Sequence, residues 1–447
     1  MKITFNDIAG YREEKRTLAT LATALRKKEE VESAGGKLPK GLFLYGTNGV
    51  GKTILAKAFI AESFWPVVEI GYSDMPKGVP FHDYLKSKFC QASAMSHCIV
   101  FIDELDKLVG GEEYDLPYSR NDRCAYLLAE INKHVDHAGL FLLFASNSEH
   151  LLDPAITRSG RIDIKLHIDL PTTAEREEIL RHYCKGKRID PSMDFTSISR
   201  MTKGLTGADL EALVNNAILC SVANGSRPVT SEDILDAYHD QTFEEKEKDC
   251  ALSPFHEKLL AYHEAGHAAV ILINGGQMPY CATLLPRGAT RGFVGEEDDG
   301  KRIMTVEDVE KRAKASLAGM AAEEVFFGVR TTGSSSDIEH AQRDIRSLIQ
   351  TYGKYGFQYV DIPQKEGMMA PLLGCSEQKR KAIEETEARV FAEFYEWTKR
   401  LILANKGLVR AIAKGLLDFK TLYKENLRDI FKGYKARHSK NGRVHRA

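Results

Sequence analysis

Leu42–Thr53 reads LFLYGTNGVGKT: a short apolar run that fits a buried strand, then Gly46–Thr53, then ILAKAFIAESF with helical character. This is G-x-x-x-x-G-K-T between a strand and a helix, the context that a phosphate-binding loop needs. The glycines let backbone N–H groups wrap phosphates at the N-terminus of a helix. Lys52 would reach the β- and γ-phosphates and Thr53 would hold Mg²⁺. Nucleotide contacts are expected from Gly46 through Thr47, Asn48, Gly49 and Val50 to Gly51, and on through Lys52 and Thr53 to Ile54. The bland alternative, a glycine-rich turn that holds nothing, is outweighed by so complete a motif in the right setting.

Two further apolar strands follow. CIVFID ends in Asp103, with Glu104 next, and LFLLFASN ends in Asn147. Acids at the end of a parallel strand sit at the carboxyl edge of the sheet, where ligands bind. There Asp103 would position Mg²⁺, Glu104 would polarise the attacking water, and Asn147 would touch the γ-phosphate or that water. A lone strand-end Asn is more often a turn residue, and only its place after the two earlier motifs raises it. In LDPAITRSGRID, Arg158 and Arg161 flank a Ser-Gly turn. They read as ordinary surface charges or, at a subunit edge, as arginines that stabilise the γ-phosphate of a neighbour's ATP. Before the loop, Tyr11–Ser33 has helical spacing of Leu18, Leu21 and Leu25. After it, Thr172–Gln241 reads as a helical lid in which Thr206 caps a helix.

The second half turns on Tyr262–Val270, YHEAGHAAV. His263 and His267 stand at i and i+4, on one helix face, so both imidazoles can reach one metal. Zinc suits imidazole nitrogen and keeps a position open for water at catalytic sites. Glu264 sits where it can take a proton from that water. Two satisfied histidines on a buried helix are the less specific reading. Cys281–Arg287 reads as a strand, with Pro286 favouring a sheet edge. Thr305–Gly328 reads as one long helix, TTGSSSD at Thr331–Asp337 as a polar loop, and Ser376–Phe431 as helical.

Composition sets outer limits. The 447 residues allow about three domains at ~150 residues each. A net charge of −1 suggests neither nucleic acid nor an acidic partner. The eight cysteines show no C-x-x-C pair or regular spacing, so a reducing interior is expected. No run approaches the ~18 apolar residues of a membrane span. The opening MKITFNDIAG has no apolar stretch behind its basic residue, so no secretion signal is expected.

The order of these motifs resembles the FtsH-type membrane-anchored AAA proteases, which are ATP-dependent zinc metalloproteases. The resemblance runs from FNDIAGYREEK to the helices near Asn426. It implies an α/β AAA ATPase module, a parallel sheet flanked by helices, over 1–170. A helical lid over 171–243 and a charged linker over 244–251 follow. Next come a mainly α-helical zinc metalloprotease domain over 252–431 and a basic, disordered tail over 432–447. It implies that Asp7, Ile8 and Ala9 form the opening turn against adenine, that Arg158 and Arg161 act across subunits of a homo-hexamer, and that LLPRG is the edge strand holding the peptide. Metzincins would place Gly and His where Val270 and Ile273 stand, which excludes that class. Glu323 or Glu324 in AAEEVFFG are candidate third ligands. The resemblance instead implies Asp337, with Glu324 orienting an imidazole.

The cofactors implied are Zn²⁺, ATP and Mg²⁺, the partners are unfolded or partly folded protein substrates, and no specific nucleic acid is expected. The chain lacks the family's two membrane spans, which implies a cytoplasmic-facing portion of a longer protein or a soluble relative. Two stretches depart from the family pattern. The pore segment Asp74–Phe81 reads DMPKGVPF, with Met75 and Phe81 the nearest replacements for the gripping aromatic. The intersubunit Asp-Gly-Phe signal is replaced within NKHVDHAG.

Overall fold

The computed structural model describes residues 3–72, 74–110, 120–134, 139–147, 161–242, 253–275, 278–285, 292–297, 303–357 and 377–439. They divide into two compact units, Met1–Ile234 and Leu235–Ala447.

In the first unit, β1 (Gly41–Tyr45), β2 (Val67–Ile70), β3 (Cys98–Ile102), β4 (Leu140–Ser146) and β5 (Ile164–His167) form one sheet. Its order is β2-β3-β4-β1-β5 and every pairing is parallel. The strands are near-continuous apolar runs because helices cover both faces. One face packs Phe43, Val100, Ile102 and Phe144 against Leu85 and Phe89 of helix Phe81–Ser93 and Leu127 of helix Arg120–His134. On the other face Phe59, from helix Lys52–Ser63 behind the phosphate loop, meets Phe141 at 5.7 Å. Parallel strands put their carboxyl ends on one edge, so the turn after β1, the acids after β3 and the Asn after β4 come together there.

Gly46 leaves β1 with φ +153, and a Cβ there would overlap the Ile168 carbonyl, so only glycine fits. Thr206 caps helix Gly207–Ala223 in a reciprocal pair with Asp209. The Ala208 N–H then donates to the Gly49 carbonyl at 3.3 Å, which fastens the lid helix to the phosphate loop. In the pore segment, Phe81 is 4% exposed and opens a helix, and Met75 packs on the core. Neither replacement candidate therefore projects; the exposed residues are Asp74, Pro76, Lys77, Gly78, Val79 and Pro80, with Tyr72 exposed just before them.

The second unit is built on helix Pro254–Asn274. Ser253 caps its start, Pro254 fits its first turn, and Gly275 ends it at φ +71. The expected single helix Thr305–Gly328 is two, Val306–Ser316 and Ala318–Phe327, broken at Leu317 where ψ is −2. The break lets the halves serve different neighbours. Arg312 makes two bonds, 2.6 and 2.8 Å, to Asp344 on helix Ser335–Arg346, while Ala318–Phe327 lies against the HEAGH helix. That second contact is close: a Cβ on Gly266 would come 2.7 Å from the Ala318 carbonyl oxygen and from Ala322 Cβ.

Three further strands, β6 (Pro279–Thr283), β7 (Phe293–Glu296) and β8 (Thr421–Tyr423), form an antiparallel sheet in the order β7-β6-β8. The strand that leads into LLPRG, Pro279–Thr283, is the central one of the described strands, with β7 at the edge beside the metal helix, while residues 286–288 of LLPRG lie outside the described residues. One expectation is corrected. The segment expected to be helical through Phe431 is interrupted by β8, because Lys420 turns the chain at φ +63. Residues 286–291 and 243–252 lie outside the described set. The basic tail also differs from expectation, since helix Lys424–Ser439 carries its first half, anchored by the Tyr434 hydroxyl on Asn405 at 3.1 Å. Among the described residues no helix is long and apolar enough to cross a membrane.

Gly266→Ala should destabilise the second unit by about 1–3 kcal/mol, the usual cost of overpacking. A thermal melt reads it, and an unchanged midpoint would show that the two helices can move apart freely.

Candidate active sites

The first site is a cavity of about 500 Å³ at the carboxyl edge of the parallel sheet. Asp7, Ile8 and Ala9 line it, as do Asn48 through Ile54, Asp103, Glu104 and Asn147. Gly46 and Thr47 stand behind the loop, and their carbonyls accept from Lys52 Nζ at 2.8 and 2.7 Å. Burial pulls the Lys52 ammonium down, against the pull of Asp106, Asp103 and Glu104. Glu104 sits at φ +46, with its carboxylate 2.7 Å from Lys107 Nζ.

One residue of this site escaped the sequence reading. Asp106 accepts from the Ser146 hydroxyl at 3.0 Å, and from the Asn147 backbone at 3.2 Å and side chain at 2.9 Å. Burial works against its charge, yet these bonds hold it below the usual carboxylate range. Asn147 is thereby fixed on the cavity wall. The available signal was a third acid in DELD, one helical turn beyond Asp103. Arg161 does not line the cavity, and its Nε donates to Asn132 at 2.8 Å, within the altered NKHVDHAG stretch. Arg158 lies outside the described residues.

The second site is a cleft beside the HEAGH helix. His263 Nε2 and His267 Nε2 each lie 3.1 Å from Asp337 Oδ2 and 3.2 Å from one another. Ligands ~2.0 Å from a tetrahedral ion stand about 3.3 Å apart, so the three atoms are spaced as a zinc site needs. The opposite ring nitrogens fix the tautomers. His267 Nδ1 lies 2.8 Å from the Ala315 carbonyl, which only accepts, so Nδ1 carries the proton and Nε2 faces the centre with its lone pair. The Leu317 N–H at the helix break also donates to that carbonyl, whose second lone pair serves the imidazole.

His263 Nδ1 lies 2.8 Å from Glu323 Oε1. Glu323, 1% exposed, also accepts from the Thr331 N–H at 2.8 Å and the Thr331 hydroxyl at 3.0 Å. It ties the first imidazole to the loop that leads to Asp337. The expectation that Glu324 orients an imidazole is therefore corrected. One position along the helix points the other way, and Glu324 meets Lys399, Tyr395 and Arg330, which hold it down at about 2. Burial opposes charge on His263, but Asp337 and Glu323 outweigh it and push the imidazole up to about 10.

Glu264 is 4% exposed, and burial raises its carboxyl pKa. Gly292 lies against it, since a Cβ there would come 2.8 Å from Glu264 Oε1. Gly319 is equally constrained, because a Cβ would overlap both imidazoles. Neither glycine stands out in the sequence, since each is required by a segment remote along the chain. Phe293 and Val294 of β7 line the same cleft.

Comparisons with known proteins agree with this arrangement. The profile of Peptidase family M41 matches residues 251–430, that of the ATPase family associated with various cellular activities (AAA) matches 42–170, and that of the AAA+ lid domain matches 192–236. An ATP-dependent zinc metalloprotease FtsH of Parabacteroides distasonis is 32% identical over 96% of this chain and 64% of its own length. An ATP-dependent zinc metalloprotease FtsH 2 of Symbiobacterium thermophilum is 32% identical over 96% of this chain and 74% of its own. A Thermus thermophilus FtsH is 31% identical over 97% and 71%. The chain thus spans roughly two thirds to three quarters of the length of these relatives. With both sites and the lid in the same order, the chain belongs to the FtsH-type family of AAA zinc metalloproteases.

Proposed function

We propose that the chain is an ATP-driven zinc endopeptidase that unfolds protein substrates, draws them through a homo-hexameric ring and degrades them processively. The observation that carries this reading is the convergence of His263, His267 and Asp337 beside a buried Glu264, in a chain that also holds a complete phosphate-loop cavity.

Zinc held by His263, His267 and Asp337 would acidify water and polarise the scissile carbonyl. Glu264 takes the proton of the attacking water and returns it to the leaving amine, a role that suits a carboxyl raised by burial. Glu323 and the Ala315 carbonyl hold the two imidazoles in register. The substrate backbone adds as a strand to the outer edge of β7, which no described strand pairs with, so pairing is through main-chain groups and sequence selectivity is weak. In the ATPase half, Lys52 and Thr53 serve the phosphates and Mg²⁺, with Asp103 beside them. Glu104 polarises the attacking water and Asn147, held by Asp106, senses it. Arg158 and Arg161 reach a neighbour's γ-phosphate.

A second reading has one observation in its favour. Asp74–Phe81 itself offers no exposed aromatic, the nearest being Tyr72 two residues before it, 41% exposed. A remodelling ATPase with a minor protease half would fit that surface.

Degradation of a loosely folded fluorescent protein, with ATP and zinc, separates the readings. The wild type should degrade it, and Glu264→Gln should lose roughly 10²–10⁴ of the rate while keeping zinc and ATPase turnover. ATP hydrolysis without cleavage by the wild type would favour the remodeller. Asp337→Ala should empty the metal site. Glu323→Ala should weaken zinc binding about 10–100-fold and Glu324→Ala should not, as read by zinc titration. Equal effects of the two Glu variants would remove the orienting role of Glu323. Arg158→Ala and Arg161→Ala should still bind ATP but turn it over slowly, and unchanged turnover in both would end the trans-arginine role.

A further inference from the structure

Strand β7 turns alternate residues to opposite sides. Phe293 sets its ring edge-on to His239 at 5.0 Å, and a Cβ on Gly295 would overlap the Tyr280 ring, so these two residues face the aromatic cluster around Tyr280. Gly292, by contrast, lies against Glu264 Oε1. Alternation therefore puts Val294 and Glu296 on the side of Gly292, and both line the cleft beside the HEAGH helix.

The other charged side chains that line this cleft are answered within the chain. Glu264, Glu323 and Asp337 belong to the metal centre. Arg312 is held by Asp344 through two bonds, 2.6 and 2.8 Å, and Arg343 meets Glu339 at 3.1 Å. Glu296 is the exception. It is exposed, and among the described residues no hydrogen-bonding group meets its carboxylate. Burial by the cleft walls raises its carboxyl, while His267 and Arg312 pull it down from a distance. A carboxylate already partly stripped of water loses little more when a cation arrives, so a charge-assisted bond there counts for more than one in open water.

We infer that Glu296 is a specificity-determining residue, its carboxylate receiving the ammonium or guanidinium group of a Lys or Arg side chain in the substrate segment that pairs with β7. The inference rests on the protease reading of this cleft and adds one side-chain preference to a pairing otherwise made by main-chain groups. A strand laid along β7 turns every second side chain to the cleft, and the one opposite Glu296 comes within its reach. That position should favour Lys, accept a neutral chain and reject Glu, because like charges directly opposite repel. The preference belongs to one substrate position. Its immediate neighbours point the other way, and the next residue on the same face lies ~7 Å along the strand, over Val294.

The test uses the full chain with zinc and ATP, and fluorogenic peptides in which Lys, norleucine or Glu is moved one position at a time around a fixed cleavable bond. The readout is the ratio of kcat/KM for the Lys peptide to that for the Glu peptide at each position. In the wild type one position should favour Lys by about 5–20-fold, with norleucine between the two. Glu296→Gln should bring that ratio close to unity, and Glu296→Lys should invert it. Each ratio is internal to one protein, so a variant that is less active or holds less zinc still reports it. A wild type that cleaves the peptides with no Lys preference at any position overturns the inference and leaves the protease reading standing, with Glu296 a solvated charge on an edge strand. A Lys preference that Glu296→Lys does not move also overturns it, because another group then makes the choice. A wild type that cleaves none of the peptides fails the protease reading itself, and the inference with it.

Discussion

A buried carboxylate, Glu323, holds the second unit's chemistry in one piece. It is 1% exposed, and its oxygens meet His263 Nδ1, the Thr331 N–H and the Thr331 hydroxyl. A buried charge is tolerated only when its partners satisfy it, and removing one partner leaves a penalty of several kcal/mol. The carboxylate therefore couples the HEAGH helix to the loop before Asp337. That coupling needs helix Ala318–Phe327 to lie hard against HEAGH, which only glycine at 266 and 319 allows. Helix contact, imidazole orientation and the approach of the third carboxylate are one constraint.

The same economy appears at the break in the helix that precedes Glu323. The Ala315 carbonyl, at the end of helix Val306–Ser316, accepts from the Leu317 N–H and from His267 Nδ1, one on each lone pair. Both imidazoles are oriented by groups from one helix pair, one by a side chain and the other by the backbone.

In the first unit, the organising constraint is the parallel sheet. Its strand order places the ends of β1, β3 and β4 side by side, and the cavity forms where they meet. The lid reaches the same place because the helix capped by Thr206 docks its Ala208 N–H on Gly49. Asp106 holds Asn147 there through two hydrogen bonds and Ser146 through a third. The pore segment, by contrast, commits its one aromatic, Phe81, to the core. What it presents outward is Asp74 and the run of residues 76–80.

The sequence by itself determined whatever depends on near neighbours along the chain. The phosphate loop, its strand and helix, and the two histidines four residues apart are local patterns whose geometry follows from backbone periodicity. So is the cap at Thr206. Asp337 was reached only through family resemblance, because no local rule links it to a helix some seventy residues earlier. The tertiary structure decided what depends on distant contacts. It chose Glu323 over its neighbour Glu324, since adjacent helix positions point about 100° apart and only the packing says which faces the metal helix. It made the strand before LLPRG central and β7 the edge, because pairing with β8 is a contact across some 140 residues. It also showed why Gly266, Gly292 and Gly319 are glycines, for in each case the atom that forbids a side chain comes from elsewhere in the fold.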